Sequence, residues 1–280
     1  MMENETASKL YEIVPANEIA LPAGFRAGAL HCGIRKTERN DLGAIWCETE
    51  AQAAAVYTTN LFQAAPIRVT KDSLKASRGI LRAVVVNSGN ANACTGEQGE
   101  ADAQEMRARL AERLGVPNEH VAVASTGVIG ELLNMDRVRD GIDRLPDQLS
   151  GDADGLDSFC QAILTTDLVK KSASVTLNIE GRKVTITGAA KGSGMIHPNM
   201  ATMLAFVMTD ANIGAGLLQE VLREVTDATF NMITVDGDTS TNDMLLVMAS
   251  GLAGHQELTP EHPGFAAFAS GLRHVCEELA

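Results

Sequence analysis

Apolar and polar residues alternate on both sides of residue 180, and this pattern predicts a β-hairpin. Val175, Leu177 and Ile179 precede a Glu-Gly-Arg turn at 180–182, and the same alternation resumes after it. Strands that arrive in hairpins, with helices between groups of strands, predict an α+β layered fold. The predicted strands lie near 24–28, 44–47, 81–86, 121–124, 202–208 and 244–248, and the predicted helices at about 101–114, 136–149, 156–164, 217–232 and 263–279.

Composition narrows the classes of protein that fit this pattern. The chain has 280 residues and a formal net charge of −13, which argues against binding to nucleic acid or to anionic lipid. Its longest apolar stretches are shorter than the ~20 residues of a membrane-spanning helix. The five cysteines form no Cys-x-x-Cys pair and no secretory signal is apparent, which predicts reduced, mostly buried thiols in a cytoplasmic protein.

The most unusual stretch of the chain is 188–204, where a Gly-Ser-Gly turn and a His-Pro pair come directly before a predicted strand. Lys191 lies at its start, and Thr202 opens the strand. A hydroxyl at the first position of a strand is exposed to a cleft and is a candidate nucleophile. The alternative is an ordinary loop followed by a strand that happens to begin with threonine. The spacing does not match a phosphate-binding loop.

Other polar segments carry weaker signals. Thr126 and Gly127 end a predicted strand, where a hydroxyl and an amide can form two convergent donors for an oxyanion, although a purely structural role explains them equally well. The acidic segment 236–243 lacks the spacing of a calcium loop and fits a self-bonded turn. Thr165, in a Thr-Thr-Asp sequence, fits the end of a helix. The six histidines are scattered, so no metal site is predicted.

Taken together, these segments resemble the ornithine acetyltransferase / glutamate N-acetyltransferase enzymes of arginine biosynthesis. The resemblance rests on Lys-Gly-Ser-Gly-Met-Ile-His-Pro-Asn-Met-Ala-Thr-Met-Leu at 191–204 and on Asp-Gly-Asp-Thr-Ser-Thr-Asn-Asp at 236–243. Asn-Ser-Gly-Asn-Ala-Asn at 87–92 and Ser-Thr-Gly at 125–127 follow the family's order. The family resemblance implies an α/β/β/α sandwich and extends over essentially the whole chain.

The resemblance implies that the precursor cuts itself between Ala201 and Thr202. Residues 1–201 would then form the α-chain region, and 202–280 the start of the β-chain region. Thr202 would carry the nucleophilic hydroxyl and a free α-amine, whose ordinary pKa of ~7.7–8 suits a base at neutral pH. By analogy with the family, N-acetylornithine would acetylate Thr202, and glutamate would then take the acetyl group in a ping-pong reaction.

The resemblance also assigns roles to other residues. Thr126 and Gly127 correspond to the oxyanion donors, Lys191 suits a substrate carboxylate, and Thr165 would help position the substrate. Leu168 departs from relatives that often carry threonine there. Family members need no resident cofactor or metal, and use of acetyl-CoA as a co-substrate stays open. Their assembly is a heterotetramer of two α and two β chains.

Two alternatives to acetyl transfer remain open. A hydrolase related to self-cleaving aminopeptidases would pass the acyl group to water, and an inactive fragment would have only a binding or assembly role. The resemblance further implies a C-terminally truncated chain, because family members continue for roughly a hundred residues that contain a catalytic glutamate. We therefore expect the 280-residue chain alone to transfer little acetyl group and to expose apolar surface.

Overall fold

A long bent strand joins the two halves of a continuous mixed β-sheet in the computed structural model of the protein, which describes residues 10–192, 203–233 and 239–280. The strands in these ranges are β1 (Glu12–Ile13), β2 (Phe25–Leu30), β3 (Leu42–Tyr57), β4 (Ile80–Asn90), β5 (Val121–Val128), β6 (Lys171–Ile179), β7 (Arg182–Lys191), β8 (Leu204–Thr209) and β9 (Met244–Ala249). The helices are α1 (Ala65–Ala76), α2 (Gly96–Leu114), α3 (Met135–Arg144), α4 (Ala153–Ile163), α5 (Ala215–Ala228) and α6 (Phe265–Leu279), with 3-10 turns at Ala16–Glu18, Asn118–His120, Leu145–Gln148 and Phe230–Met232.

Strand β3 joins the halves because its two ends pair with different neighbours. Its first part is antiparallel to β2 and β4, and its last part, from Gln52 to Tyr57, is antiparallel to β9. The register shifts between Trp46 and Ala51, which is where the strand changes partners. Strand β5 extends the first half in parallel with β4, while β8, β7, β6 and β1 extend the second half beyond β9.

The two halves stack, and helices α1, α2, α3, α5 and α6 lie outside them, so the predicted α/β/β/α sandwich is confirmed. The inner core lies between the halves and includes residues of α4, among them Phe159, whose ring meets Phe206 of β8 edge-on. A second core lies between the first half and α1, α2 and α3, and a third between the second half and α5 and α6. Because both faces of the central strands are buried, β8 places Phe206 in one core and Val207 in another.

The predicted hairpin is confirmed, with β6 and β7 paired from Lys171 opposite Ala190 to Ile179 opposite Arg182. Both turn residues, Glu180 and Gly181, have positive φ values of 53° and 75°, the geometry that a tight two-residue hairpin requires. The helix predicted near the end of the chain is also present. The side chains that it buries in the third core include Phe268, Leu272, Val275 and Leu279.

Helix α3 differs from its prediction at both ends. Asp136 was predicted to cap it, but the cap is Asn134, whose Oδ1 accepts the backbone N–H of Arg137 at 3.3 Å. The α-helix ends at Arg144 instead of continuing to about residue 149, because Pro146 lacks the N–H that a further turn needs.

Surface exposure bears on two expectations from the sequence, namely mostly buried thiols and exposed apolar surface. Three of the five cysteines are buried, Cys32 is half-buried and Cys94 is exposed. Several large apolar side chains are exposed away from α6, namely Leu61, Phe62, Leu168, Val169 and Met232. Within the described parts of the chain, no helix has the length and apolar character needed to cross a membrane.

Candidate active site

A cavity of about 700 Å³ brings together residues from distant parts of the sequence at the ends of several strands. Four predicted site residues line it: Thr126 and Gly127 from β5, Thr165 from the segment after α4, and Lys191 from the end of β7. Its other lining residues are Ile34, Arg35, Lys36, Thr37, Gly89, Val128, Glu131, Thr166 and Gly192. The predicted nucleophile Thr202, its neighbour Ala201 and the acids Asp236 and Asp238 lie outside the described residues.

The end of β5 delivers two neighbouring hydroxyls to different environments. Ser125 donates its hydroxyl to Asn87 Oδ1 at 2.6 Å, within the core between β4 and β5. Side chains alternate along a strand, so Thr126 lies on the other face, where it lines the cavity. Its hydroxyl makes no hydrogen bond to any other described residue, and it is therefore available to a ligand.

Gly127 is held in a conformation that suits only glycine. Its φ is +136°, and a Cβ at this position would lie 2.5 Å from the backbone nitrogen of Asn90. The close approach arises because Gly127 pairs with Gly89 at the end of β4. The sequence singled out Gly127 for its amide, and the structure shows in addition why this residue has no side chain.

Asn242 ties the second half of the sheet to this wall of the cavity. Its amide Nδ2 donates to the carbonyl of Ala91 at 2.6 Å and to that of Ser125 at 2.9 Å. Asn242 precedes β9, whereas Ala91 and Ser125 belong to the ends of β4 and β5. One buried side chain thus joins the two halves beside the cavity, a role that the sequence motif did not reveal.

Asp167 joins two predicted site residues that are 26 positions apart in the sequence, Thr165 and Lys191. Its carboxylate accepts the backbone N–H of Thr165 at 3.0 Å and that of Gly192 at 2.6 Å. Burial alone would raise the pKa of Asp167, but these hydrogen bonds and the charge of Lys191 outweigh burial and lower it. Asp167 is therefore a buried carboxylate whose oxygens are already used by the backbone.

Lys191 and Asp243 form the buried ionisable part of the site. Burial lowers the pKa of Lys191, while the neighbouring charges of Asp167 and Asp243 oppose that shift. Burial raises the pKa of Asp243 to about 8, although its Oδ1 accepts the backbone N–H of Met203 at 2.9 Å. Its Oδ2 has no hydrogen-bond partner among the described residues. Asp243 thus fixes Met203, the residue that directly follows Thr202. The sequence had indicated Asp243 only as part of a turn.

Arg35 is the site residue for which the sequence offered no signal. It comes from the segment between β2 and β3, far in the chain from every motif. Its side chain lines the cavity, and its Nε and Nη2 are buried without a hydrogen-bond partner among the described residues. Burial and the charge of Arg39 lower the pKa of Arg35, while Asp41 and Asp167 oppose the shift.

The arrangement defines a class of protein before any comparison is made. It is a four-layer α/β/β/α protein whose cavity offers a free hydroxyl, a strained glycine at a strand end, a buried lysine and a half-buried arginine. Hydroxyl and amide donors suit the developing oxyanion of acyl transfer, and cations suit a carboxylate-bearing substrate. Across the described ranges, no cluster of three metal-ligating side chains is present.

The chain belongs to the ArgJ family, whose model matches residues 26–280. The arginine biosynthesis bifunctional protein ArgJ of Geobacillus kaustophilus is 56% identical over 263 residues, which cover 94% of this chain and 63% of that protein. This chain therefore spans somewhat less than two thirds of the length of that curated relative.

Solved structures agree with this assignment. The crystal structure of arginine biosynthesis bifunctional protein ArgJ from Bacillus halodurans is 48% identical with a TM-score of 0.64, and the match covers 68% of this chain and 99% of that chain. Ornithine acetyltransferase from Mycobacterium tuberculosis, solved with ornithine, is 34% identical with a TM-score of 0.62, covering 69% and 100% of the two chains. An aminopeptidase from Ochrobactrum anthropi, 11% identical with a TM-score of 0.52, shares the fold alone.

Proposed function

We propose that the protein is a self-processing acetyltransferase of arginine biosynthesis, which moves an acetyl group from N-acetylornithine to glutamate through Thr202. Membership of the ArgJ family and the solved ornithine acetyltransferase relative support this proposal. The observation that carries it is the cavity, where Thr126, Gly127, Thr165 and Lys191 meet. Lys191 pairs across the sheet with Leu204, so this wall of the cavity belongs to the strand pair that begins just after Thr202.

Self-cleavage is the first step of the proposed mechanism. The Thr202 hydroxyl attacks the carbonyl carbon of Ala201, the bond to the nitrogen of Thr202 breaks, and that nitrogen takes up the hydroxyl proton. Water then hydrolyses the resulting ester, which frees the carboxylate of Ala201, the hydroxyl and a new α-amine. The ordinary pKa of an α-amine, ~7.7–8, lets it act as the base in the later steps.

Acetyl transfer then uses the freed hydroxyl twice. It attacks the acetyl carbonyl of N-acetylornithine, and ornithine leaves after its nitrogen takes the proton. The amine of glutamate next attacks the acetyl ester, and the Thr202 hydroxyl is restored. In both steps the carbonyl oxygen becomes negative, and the Thr126 hydroxyl and the Gly127 amide would bind it. Thr165 and Lys191 would hold the amino acid.

The proposal extends to processing and assembly. The match to the Bacillus halodurans structure covers nearly all of that chain but only 68% of this one, as expected if the relative's matched chain ends near a cleavage point. Residues 1–201 and 202–280 would then be separate chains, assembled as a heterotetramer in the cytoplasm. Acetyl-CoA is proposed as a further acetyl donor, and no resident cofactor is invoked.

Replacement of the nucleophile tests the proposal. Thr202→Ala should stop both cleavage and transfer, because the hydroxyl acts in each, while the matched variant Thr202→Ser should retain part of both. Intact mass spectrometry of the wild type should show chains of 201 and 79 residues. If Thr202→Ala still yields the 79-residue chain, the proposed nucleophile is wrong.

A labelled acetyl group separates transfer from the two alternatives. N-acetylornithine that carries the label should pass it to glutamate in an acetyltransferase but to water in a hydrolase. An intact 280-residue chain that persists after long incubation would favour the inactive fragment.

A further inference from the structure

We propose that Arg35 is a carboxylate receptor of the cavity and that it selects amino acids with a free carboxylate. The proposal rests on the function proposed above, and it adds a residue that no motif of the sequence indicates. Three observations support it: the rigid placement of Arg35, the absence of a committed acidic partner, and the contact of its stem with a glycine of the cavity wall.

Asp41 fixes the segment that carries Arg35. Its fully buried carboxylate accepts the backbone N–H groups of Cys32 at 2.7 Å, Gly33 at 3.2 Å and Arg35 at 2.9 Å. The ring of His31 lies 3.0 Å from the same carboxylate. These contacts hold the backbone of Arg35 in place before any ligand arrives, which lowers the entropy cost of binding.

The acids near Arg35 are occupied by other groups. Asp41 uses its oxygens on the backbone, as described, and Asp167 uses its own on Thr165 and Gly192. Neither acid forms an ion pair or hydrogen bond with the Arg35 guanidinium in the described parts of the chain. The Nε and Nη2 atoms of Arg35 therefore have no hydrogen-bond partner there. Buried charged donors without partners are costly, so a fold that keeps them at a cavity is suited to an incoming anion.

Gly89 gives the Arg35 stem its place beside the oxyanion donors. Gly89 has a φ of +100°, and a Cβ there would lie 2.9 Å from Cγ of Arg35. The arginine stem therefore rests on bare backbone at the end of β4, where Gly89 pairs with Gly127. This contact places the guanidinium side chain on the wall that presents Thr126 and Gly127.

The chemistry of the guanidinium favours a carboxylate over other anions that an amino-acid site would meet. Its planar fork can bind both carboxylate oxygens, whereas an ammonium acts as a point charge. Lys191, the fully buried cation, has Asp167 and Asp243 as neighbours, and the charge of Asp167 offsets its own. Arg35 is thus a half-buried cation of the described cavity whose neighbouring acids, Asp41 and Asp167, bond to backbone N–H groups and not to its guanidinium.

Binding measurements on the 280-residue chain test the proposal without relying on turnover. Titration calorimetry compares L-glutamate with L-glutamine, which lacks the side-chain carboxylate, and with L-isoglutamine, which lacks the α-carboxylate. The wild type should bind glutamate at least about tenfold more tightly than one of the two amides, since hydrogen bonds to charged groups have about this effect. The disfavoured amide identifies which carboxylate Arg35 receives.

The variants separate Arg35 from its neighbours. Arg35→Gln should abolish the preference for glutamate, Arg35→Lys should restore part of it, and Lys36→Gln, at an exposed position of the same cavity, should leave it intact. Thermal unfolding shows whether each variant is folded, and Arg35→Lys replaces Arg35→Gln if the latter does not fold.

The proposal is overturned if Arg35→Gln keeps the full preference, or if the wild type shows no preference or binds none of the three amino acids. An Arg35-dependent preference in a chain that does not cleave itself would instead leave the receptor standing and count against the proposed function. If the chain transfers the acetyl group but Arg35→Gln keeps the full preference, the receptor role is wrong and the proposed function stands.

Discussion

The two walls of the cavity differ in how far the protein satisfies its own polar groups. The first wall, formed by the ends of β4 and β5, is closed by internal hydrogen bonds, such as those of Ser125 to Asn87 and of Asn242 to Ala91. The second wall is formed around Lys191, Asp167 and Asp243. Buried atoms without described partners remain on Asp243 and on Arg35, whose stem rests against the first wall.

The difference separates residues that hold the cavity from residues that await a ligand. A satisfied buried group fixes the geometry, and its loss costs stability. An unsatisfied buried group costs stability in the folded protein, so its presence points to a partner outside the described residues or to a ligand. Thr126 is the exception on the first wall, since its hydroxyl makes no bond to another described residue. The following predictions test this comparison, beginning with the largest effect.

Lys191→Met should destabilise the protein most. The substitution removes the buried charge beside Asp167 and leaves that buried carboxylate without its cation. The free energy of unfolding, measured by urea titration, should fall by about 3 kcal/mol, as for other broken buried charge pairs. Lys170→Met is the control, because Lys170 pairs with Asp157 at the surface, and its loss should cost less than ~1 kcal/mol. Equal losses of stability in the two variants would contradict the role of Lys191 as a buried charge that stabilises the fold.

Adjacent hydroxyls on β5 should give opposite phenotypes. Thr126→Val should slow ornithine release from N-acetylornithine by about 10²–10³-fold, the usual loss for one oxyanion donor, with little change in stability. Ser125→Ala should instead lower the free energy of unfolding by about 1–3 kcal/mol, because it leaves Asn87 without its partner. If Thr126→Val slows release less than threefold, the hydroxyl has only a structural role.

Asp243→Asn should reduce the loss of stability that occurs as the pH rises. The pKa of Asp243 is about 8 in the folded protein, against about 3.9 in an unfolded chain. The protonated carboxyl stabilises the fold fully below the lower value, and this contribution is lost progressively as the pH rises toward the higher one. Between about pH 5 and pH 7.5, the free energy of unfolding should fall by at least about 1 kcal/mol more in the wild type than in Asp243→Asn.

The exposed acid Asp136 provides the control for this measurement. Asp136→Asn should leave the pH dependence of stability as in the wild type, because its carboxyl lies at the surface in an ion pair with Arg139. Parallel curves for the wild type and Asp243→Asn would show that Asp243 does not carry the effect. Lys191 faces Asp243 in both proteins, so the difference between the curves belongs to Asp243.

Leu168→Thr should have the smallest effect. The side chain of Leu168 is 98% exposed and does not line the described cavity. The free energy of unfolding should change by less than ~0.5 kcal/mol, and the rate of ornithine release should stay the same. A clear gain in that rate would place this position in the site.

Local sequence patterns were enough to predict most elements of the fold. The period of two around residue 180 predicted β6 and β7, and the helical period predicted α2, α4, α5 and α6. The prediction failed at the ends of α3, where Asn134 and Pro146 decide the boundaries. Patterning depends on neighbours within a few positions, and therefore it predicts elements better than it predicts their ends.

The sequence by itself determined the layered fold, the hairpin and the four site residues that the structure places in one cavity. Only the tertiary structure decided that Arg35 and Asp243 share this site and that Asn242 joins the two halves of the sheet. The physical reason is that these roles depend on burial and on partners from 40 to 151 positions away. Composition and periodicity are local properties, whereas an unpartnered buried charge exists only once distant strand ends have met.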